Sequence, residues 1–99
     1  MTEDFLYTQF DSIFFEKTRL SIMTLIYREE FVSFNRLKKI TGSTDGAVYT
    51  HLQKLQEADY ISQKKDLIGN KAQTFYFLSD TGKILFRKYI RFLEKSILK

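Results

Sequence analysis

The chain has no cysteine, no proline and no tryptophan, a single histidine and four glycines among 99 residues. Without cysteine there can be no disulfide, no thiolate metal ligand and no thiol redox switch. One histidine with no acidic or cysteine neighbour is a poor beginning for a metal or catalytic centre. No close set of nucleophile, base and oxyanion donor is present, and no glycine loop that would cradle a phosphate. Neither an enzyme nor a cofactor is expected, and no residue is assigned to a metal. No apolar run approaches the ~20 residues of a membrane span, and Met1-Thr2-Glu3-Asp4 lacks the basic opening of a secretory signal. The expectation is a cytoplasmic protein without a membrane partner. Lacking proline, the chain leaves turn-making to glycine, asparagine, aspartate and serine.

What is present points to one domain over residues 1–99, large enough for a single core. The net charge of +4 is modest, but its distribution is uneven: residues 1–34 carry three basic and six acidic groups, so the remaining 65 residues carry a net +7. A basic carboxyl-terminal two-thirds suits a polyanion, although many small domains have lopsided charge without one.

The stretch from Ser33 to Tyr60 reads as two short helices hinged at a turn. The first places Leu37 and Ile40 at i, i+3 and stops at Thr41-Gly42, where glycine suits a left-handed cap. The second places Val48, Leu52 and Leu55 at i, i+4, i+7 and leaves Gly46, Ala47, Thr50, Gln53 and Lys54 on the opposite side. A helix whose outer face starts with small and hydroxylated residues can lie close to another surface. The pair has the pattern of a helix-turn-helix that feeds its second helix into the DNA major groove. Ser33 is positioned to cap the first helix, and Ser43 or Thr44 the second. Arg36, Lys38 and Lys39 on the first helix read either as a solvated face or as phosphate contacts.

The run SFNRLKKITGSTDGAVYTHLQKLQEADYI, followed by a lysine pair, a Gly-Asn turn, TFYFLSDTG and a long last helix, resembles the single-domain winged helix-turn-helix transcriptional regulators related to the MarR and ArsR groups. The likeness spans roughly Phe14 to Leu93, and its most specific element is T-D-G-x-x-x-x-H-L-x-K-L from Thr44 to Leu55. It implies a mainly α fold with a small antiparallel β wing, built as a three-helix core plus a long C-terminal helix. The implied function is a dimeric, sequence-specific regulator that binds double-stranded DNA. Its recognition helix, 44–58, would occupy the major groove, and its wing, 64–72, the backbone or minor groove. A winged helix that docks protein or RNA is the alternative. The implied DNA residues are Arg36, Ser43, Thr44, Gly46, Ala47, Thr50, His51, Gln53, Lys54, Lys64, Lys65, Asn70 and Lys71. His51 is either such a contact, by analogy, or a ring packed beside Leu52 with one nitrogen bonded. Metal sensing of the ArsR kind is not expected in a chain with one histidine and no cysteine. Where the family usually has glycine this chain has Asp59, which tolerates the left-handed conformation better than most residues.

The flanking segments are rich in apolar side chains. Residues 2–15 include Phe5, Leu6, Phe10 and Phe14, read as a short helix docked on the body or on a second subunit. Lys17 to Arg28 is a core helix with Leu20, Met23, Ile26 and Tyr27 on one stripe. Phe31, Val32 and Phe34 suit a short first strand. Ile68-Gly69-Asn70-Lys71 is turn chemistry between two strands, with Lys64, Lys65 and Lys71 clustered near the tip. Ser79-Asp80 opens the last helix, on which Phe86, Ile90, Leu93 and Ile97 follow the 4-3-4 spacing of an interhelical seam. With Phe5, Leu6 and Phe10 they are the expected homodimer interface. A cleft between the terminal helices that takes a small aromatic or fatty effector is a further possibility.

Overall fold

The computed structural model describes residues 10–97, with the backbone alone at residue 97. Among these residues four helices and a three-stranded antiparallel sheet follow in the order α1 (Lys17–Glu29), β1 (Val32–Ser33), α2 (Phe34–Thr41), α3 (Asp45–Glu57), β2 (Ile61–Ile68), β3 (Lys71–Leu78) and α4 (Asp80–Ile97). The strand order is β1-β3-β2, so the two-residue β1 pairs with the inner end of β3 through Val32–Tyr76 and Ser33–Phe75. Among the described residues no helix is long and apolar enough to cross a membrane.

The helix starts, and the ends of α1, α2 and α3, carry chemistry that satisfies free backbone groups. Glu16 caps α1 by accepting from the N–H groups of Thr18 and Arg19, at 3.1 and 2.9 Å. At its other end Glu30 takes a left-handed φ of 72° and its N–H closes on the Ile26 carbonyl. Ser33 caps α2 by accepting from the Arg36 N–H at 3.1 Å, and Gly42, with φ 66°, ends it. Asp59 takes φ 63° after α3, as expected, and the Tyr60 N–H reaches back to the Leu55 carbonyl. Ser79 caps α4 by accepting from the Gly82 N–H at 2.9 Å.

The core joins α1, through Ile22, Met23, Leu25 and Ile26, to Val32, Leu37, the α3 stripe, the inner hairpin residues Ile61, Tyr76 and Leu78, and Phe86 and Phe92 of α4. Ile40 departs from its expected place: it is 52% exposed, and α2 buries Leu37, with half-buried Phe34 one turn earlier completing its inward side.

The amino-terminal reading needs correcting where it can be followed. Residues 10–16 form turns, not a helix, held by the Asp11 carboxylate accepting from the Phe14 N–H at 2.8 Å. Phe5 and Leu6 lie outside the described residues. Phe10, expected at a dimer interface, is 3% exposed in the single chain, and Phe86 is 4% exposed. Both have little surface left for a second subunit. Phe10 meets Tyr89 and Phe92 edge-on at 5.4 and 5.7 Å between ring centres, and Phe14 meets Phe86 at 6.2 Å. These rings pack on one another within the core.

Candidate nucleic-acid interface

The turn between α2 and α3 sets the geometry of the site. Gly42 donates its N–H to the Lys38 carbonyl at 3.0 Å, and Thr44, not Ser43, caps α3 by accepting from the Ala47 N–H at 3.2 Å. An ion pair of 2.6 Å between Lys38 Nζ and Asp45 crosses the turn at the surface. Inside, Val48, Leu52 and Leu55 are 0, 1 and 0% exposed, while Gly46, Ala47, Thr50, Gln53 and Lys54 are all exposed on the other side. The stripe therefore points inward and the small, polar face is bare. Thr50 donates its hydroxyl hydrogen to the Gly46 carbonyl at 2.9 Å, which leaves its oxygen lone pairs and its methyl group for an outside contact. A Cβ built on Gly46 would meet nothing within 4 Å, so no packing inside the chain requires glycine there.

Two of the expected contacts are engaged elsewhere. Arg36 donates to both carboxylate oxygens of Glu29, at 2.7 and 2.5 Å, a bidentate pair across the β1 strand. Hydrogen bonds from Arg36, reinforced by Arg28 and by both positive charges against some desolvation, hold the Glu29 carboxyl down at about 2. His51 takes the structural alternative: its Nδ1 lies 2.9 Å from Arg19 Nη1. A guanidinium only donates, so Nδ1 accepts and a neutral ring carries its hydrogen on Nε2. Arg19, itself 6% exposed, also donates to the carbonyls of Ile13 and Ser12 at 2.7 and 3.2 Å, and so ties the amino-terminal turn to α3. Nearby Glu16 opposes the cost of its own desolvation with backbone hydrogen bonds from Arg19 and Thr18 and the charge of Arg19, and its pKa falls below the ordinary value.

The Glu29–Arg36 pair has a pH signature. The folded pKa of Glu29 is depressed, so its contribution is complete above the ordinary glutamate value of about 4.3 and is lost as pH falls toward 2. Thermal midpoints recorded from about pH 6 down to pH 2 should fall further for the natural chain than for Glu29→Gln. Parallel curves would mean that the pair is not formed in solution.

The wing is a regular ribbon, paired from Ile61–Leu78 to Ile68–Lys71, and Gly69 starts its two-residue turn with φ 65°. Lys64, Lys65, Asn70 and Lys71 are all exposed, but the lysines do not form one cluster. Lys65 pairs with Thr74 and Lys64 with Phe75, and neighbouring residues on a strand face opposite ways. The pleat therefore sends Lys65 to one face of the ribbon, and Lys64 and Lys71 to the other. A groove of about 520 Å³ lies between the start of α3, at Asp45, Gly46 and Tyr49, and β3, at Ala72, Thr74 and Tyr76. Lys65 shares the face of the ribbon that lines it.

Asp59, whose charge would oppose phosphate, is turned to the start of α4. Its carbonyl accepts from Ser79 Oγ at 2.5 Å and its carboxylate lies 3.5 Å from Thr81 Oγ1. Beside it, the Tyr60 hydroxyl donates to the Asp11 carboxylate, and burial, then that bond and the Asp11 charge, push the phenol up to about 12.

Comparison with known proteins gives this arrangement a context. A family model described as a winged helix DNA-binding domain matches residues 18–97. The uncharacterized protein MJ0432 of Methanocaldococcus jannaschii is 35% identical over 78 residues, which is 79% of this chain and 85% of that protein. A transcriptional regulator homologue from Pyrococcus horikoshii superimposes with a TM-score of 0.79 at 22% identity, over 93% of this chain and 92% of its own. MarR does so with a TM-score of 0.71 at 14% identity, over 84% of this chain and 60% of its own.

Proposed function

This chain belongs to the winged helix DNA-binding domain family, and we propose that it acts, as one domain and as a homodimer, as a sequence-specific transcriptional regulator. In this reading α3 enters the major groove of double-stranded DNA, and the wing follows the backbone or minor groove. The twofold axis then presents two copies of α3 to an inverted repeat, and the cytoplasm is where the protein would meet its DNA. The observation that carries the reading is the division of α3, with Val48, Leu52 and Leu55 sealed inside and five small or polar residues left bare. Gly46 supports it, since its missing side chain serves no internal packing and so leaves room for an outside surface.

Ser43, Thr44 and the free N–H groups at the start of α3 suit a phosphate. Ala47, Thr50, Gln53 and Lys54 suit base edges and thymine methyl groups. Lys64, Lys65, Asn70 and Lys71 suit the backbone. Arg36 would join them only by exchanging Glu29 for a phosphate, and His51 only through Nε2. Ile90 and Leu93, half-buried and one turn apart on α4, offer the seam for a second copy, and Ile97 continues their 4-3-4 spacing in the sequence.

Selection of bound sequences from random DNA, repeated with Thr50→Ala and Lys54→Ala, tests the proposal. The natural chain should enrich an inverted repeat. Lys54→Ala should cost about 1–3 kcal/mol, with relaxed preference at one position if it reads a base or uniform weakening if it meets a phosphate. Each wing lysine that touches a phosphate should, when replaced by alanine, lower the salt slope of binding by about 0.9. No enrichment, together with no effect of the α3 substitutions, would favour the protein- or RNA-docking module instead.

A further inference from the structure

Leu67 and Ile68, the last two residues of β2, are 70% and 55% exposed at the far end of the hairpin. Single apolar residues scattered on a surface need no explanation, but two adjacent large aliphatic side chains at the tip of a lysine-bearing ribbon do. Neighbours on a strand face opposite ways. Leu67 therefore lies beside Ala72 on one face and Ile68 beside Lys71 on the other. The tip is a blade, apolar on both sides and closed by a two-residue turn. Behind it the cations are divided in the same way, Lys65 on the Leu67 face and Lys64 and Lys71 on the Ile68 face. The acid between them, Asp66, is folded back to accept from the Leu67 N–H at 2.8 Å.

We propose, resting on the reading of this hairpin as a DNA-contacting wing, that Leu67 and Ile68 form an apolar wedge. The wedge enters the minor groove beside the sequence met by α3 and partly unstacks one base step. The division of the lysines matches this occupant. A minor groove has a phosphate backbone as each of its two walls, and a blade placed between them needs positive charge on both sides. The undisturbed groove is about 6 Å wide, too narrow for a β-ribbon. The tip is admitted where the groove opens, and opening by a wedge bends the duplex toward the major groove, where α3 lies.

Burying two aliphatic side chains gains about as much as unstacking one step costs. The balance is therefore decided by the step. Pyrimidine–purine steps, TA and CA/TG, open most cheaply, so the wedge confers a preference at a flanking step to which no hydrogen bond is made.

The test uses the full chain and duplexes that carry its selected site, with a TA or a GC step at the flank and 2-aminopurine beside it. Binding of the natural chain should bend the TA duplex by roughly 20° or more, raise the 2-aminopurine fluorescence, and favour TA over GC by about tenfold. The Leu67→Thr/Ile68→Thr double variant places β-branched residues, which suit a strand, at both positions and keeps all three lysines. It should retain the thermal midpoint, the salt slope and the affinity for the GC duplex while losing the bend, the fluorescence rise and the preference. Binding by the natural chain without bend or preference overturns the wedge and leaves the DNA-binding reading standing, as does a double variant that keeps both. A double variant that changes only self-association overturns it too, because the tip is then a contact between copies. A natural chain that binds no DNA overturns the wedge together with the function it rests on.

Discussion

Gly82→Ala should lower the thermal midpoint by roughly 12 °C or more, the equivalent of about 3 kcal/mol in a chain of this size. A Cβ at position 82 would stand 2.0 Å from the Tyr60 carbonyl oxygen and 2.9 Å from its carbon. Both are backbone atoms that cannot rotate aside, and they sit in a junction that is bonded from several sides. The Tyr60 carbonyl accepts the Ser79 N–H at 3.0 Å, the Asp59 carbonyl accepts the Ser79 hydroxyl, and Gly82 donates its own N–H to Ser79. A methyl group therefore requires the start of α4 to lift from the end of α3 and to give up several of these bonds together. Gly46→Ala is the matched control: with nothing within 4 Å of the added atom, it should leave the fold unchanged or stabilise it by roughly 0.5–1 kcal/mol, alanine being the better helix former. Circular-dichroism melting of the two variants decides the matter. Equal midpoints would mean that α4 approaches Tyr60 less closely than described.

Arg19→Met should cost about 3 kcal/mol although methionine fills much of the same volume. The side chain is 6% exposed and supplies donors to the Ile13 carbonyl, the Ser12 carbonyl and His51 Nδ1. Methionine offers none, so three acceptors in a half-closed space lose their partner at once. Arg19→Lys should fall between, keeping the charge but not the fork that reaches three acceptors. Beyond the midpoint, amide exchange in the turn at residues 12–16 should accelerate more than exchange in the hairpin, because the lost bonds tie that turn to α3. A methionine variant as stable as the natural chain would show that packing of the hydrocarbon stem, not the donors, holds the segment.

The elements with local signals were readable in the sequence. Ser33, Thr44 and Ser79 cap helices as their residue type and position suggest, and the α3 stripe is buried in full. Gly69-Asn70 makes the hairpin turn, and Asp59 adopts the left-handed conformation that its place after α3 demands. What escaped reading depends on contacts between distant segments. Periodicity says that Phe10 and Phe86 are covered but not by what, and each other's neighbours in the same chain cover them. Nothing near Arg36 in sequence announces Glu29, seven positions back across β1, and nothing near His51 announces Arg19. Gly82 looks like any glycine near a helix start until the Tyr60 carbonyl is placed beside it. The split of the wing lysines, by contrast, was available from the alternation of adjacent residues along a strand.

The hairpin runs through eight consecutive pairs from Ile61–Leu78 to Ile68–Lys71 without a bulge. Its inner end is clamped by the buried side chains of Ile61, Tyr76 and Leu78. At about 3.4 Å per residue such a beam is roughly 24 Å long, so a tilt of about 10° at the clamp carries the far end through about 4 Å. Where the outermost residues arrive is thus aimed from the hydrophobic interior, and substitutions as remote from any ligand as Tyr76 can retarget them without altering a single solvent-facing group.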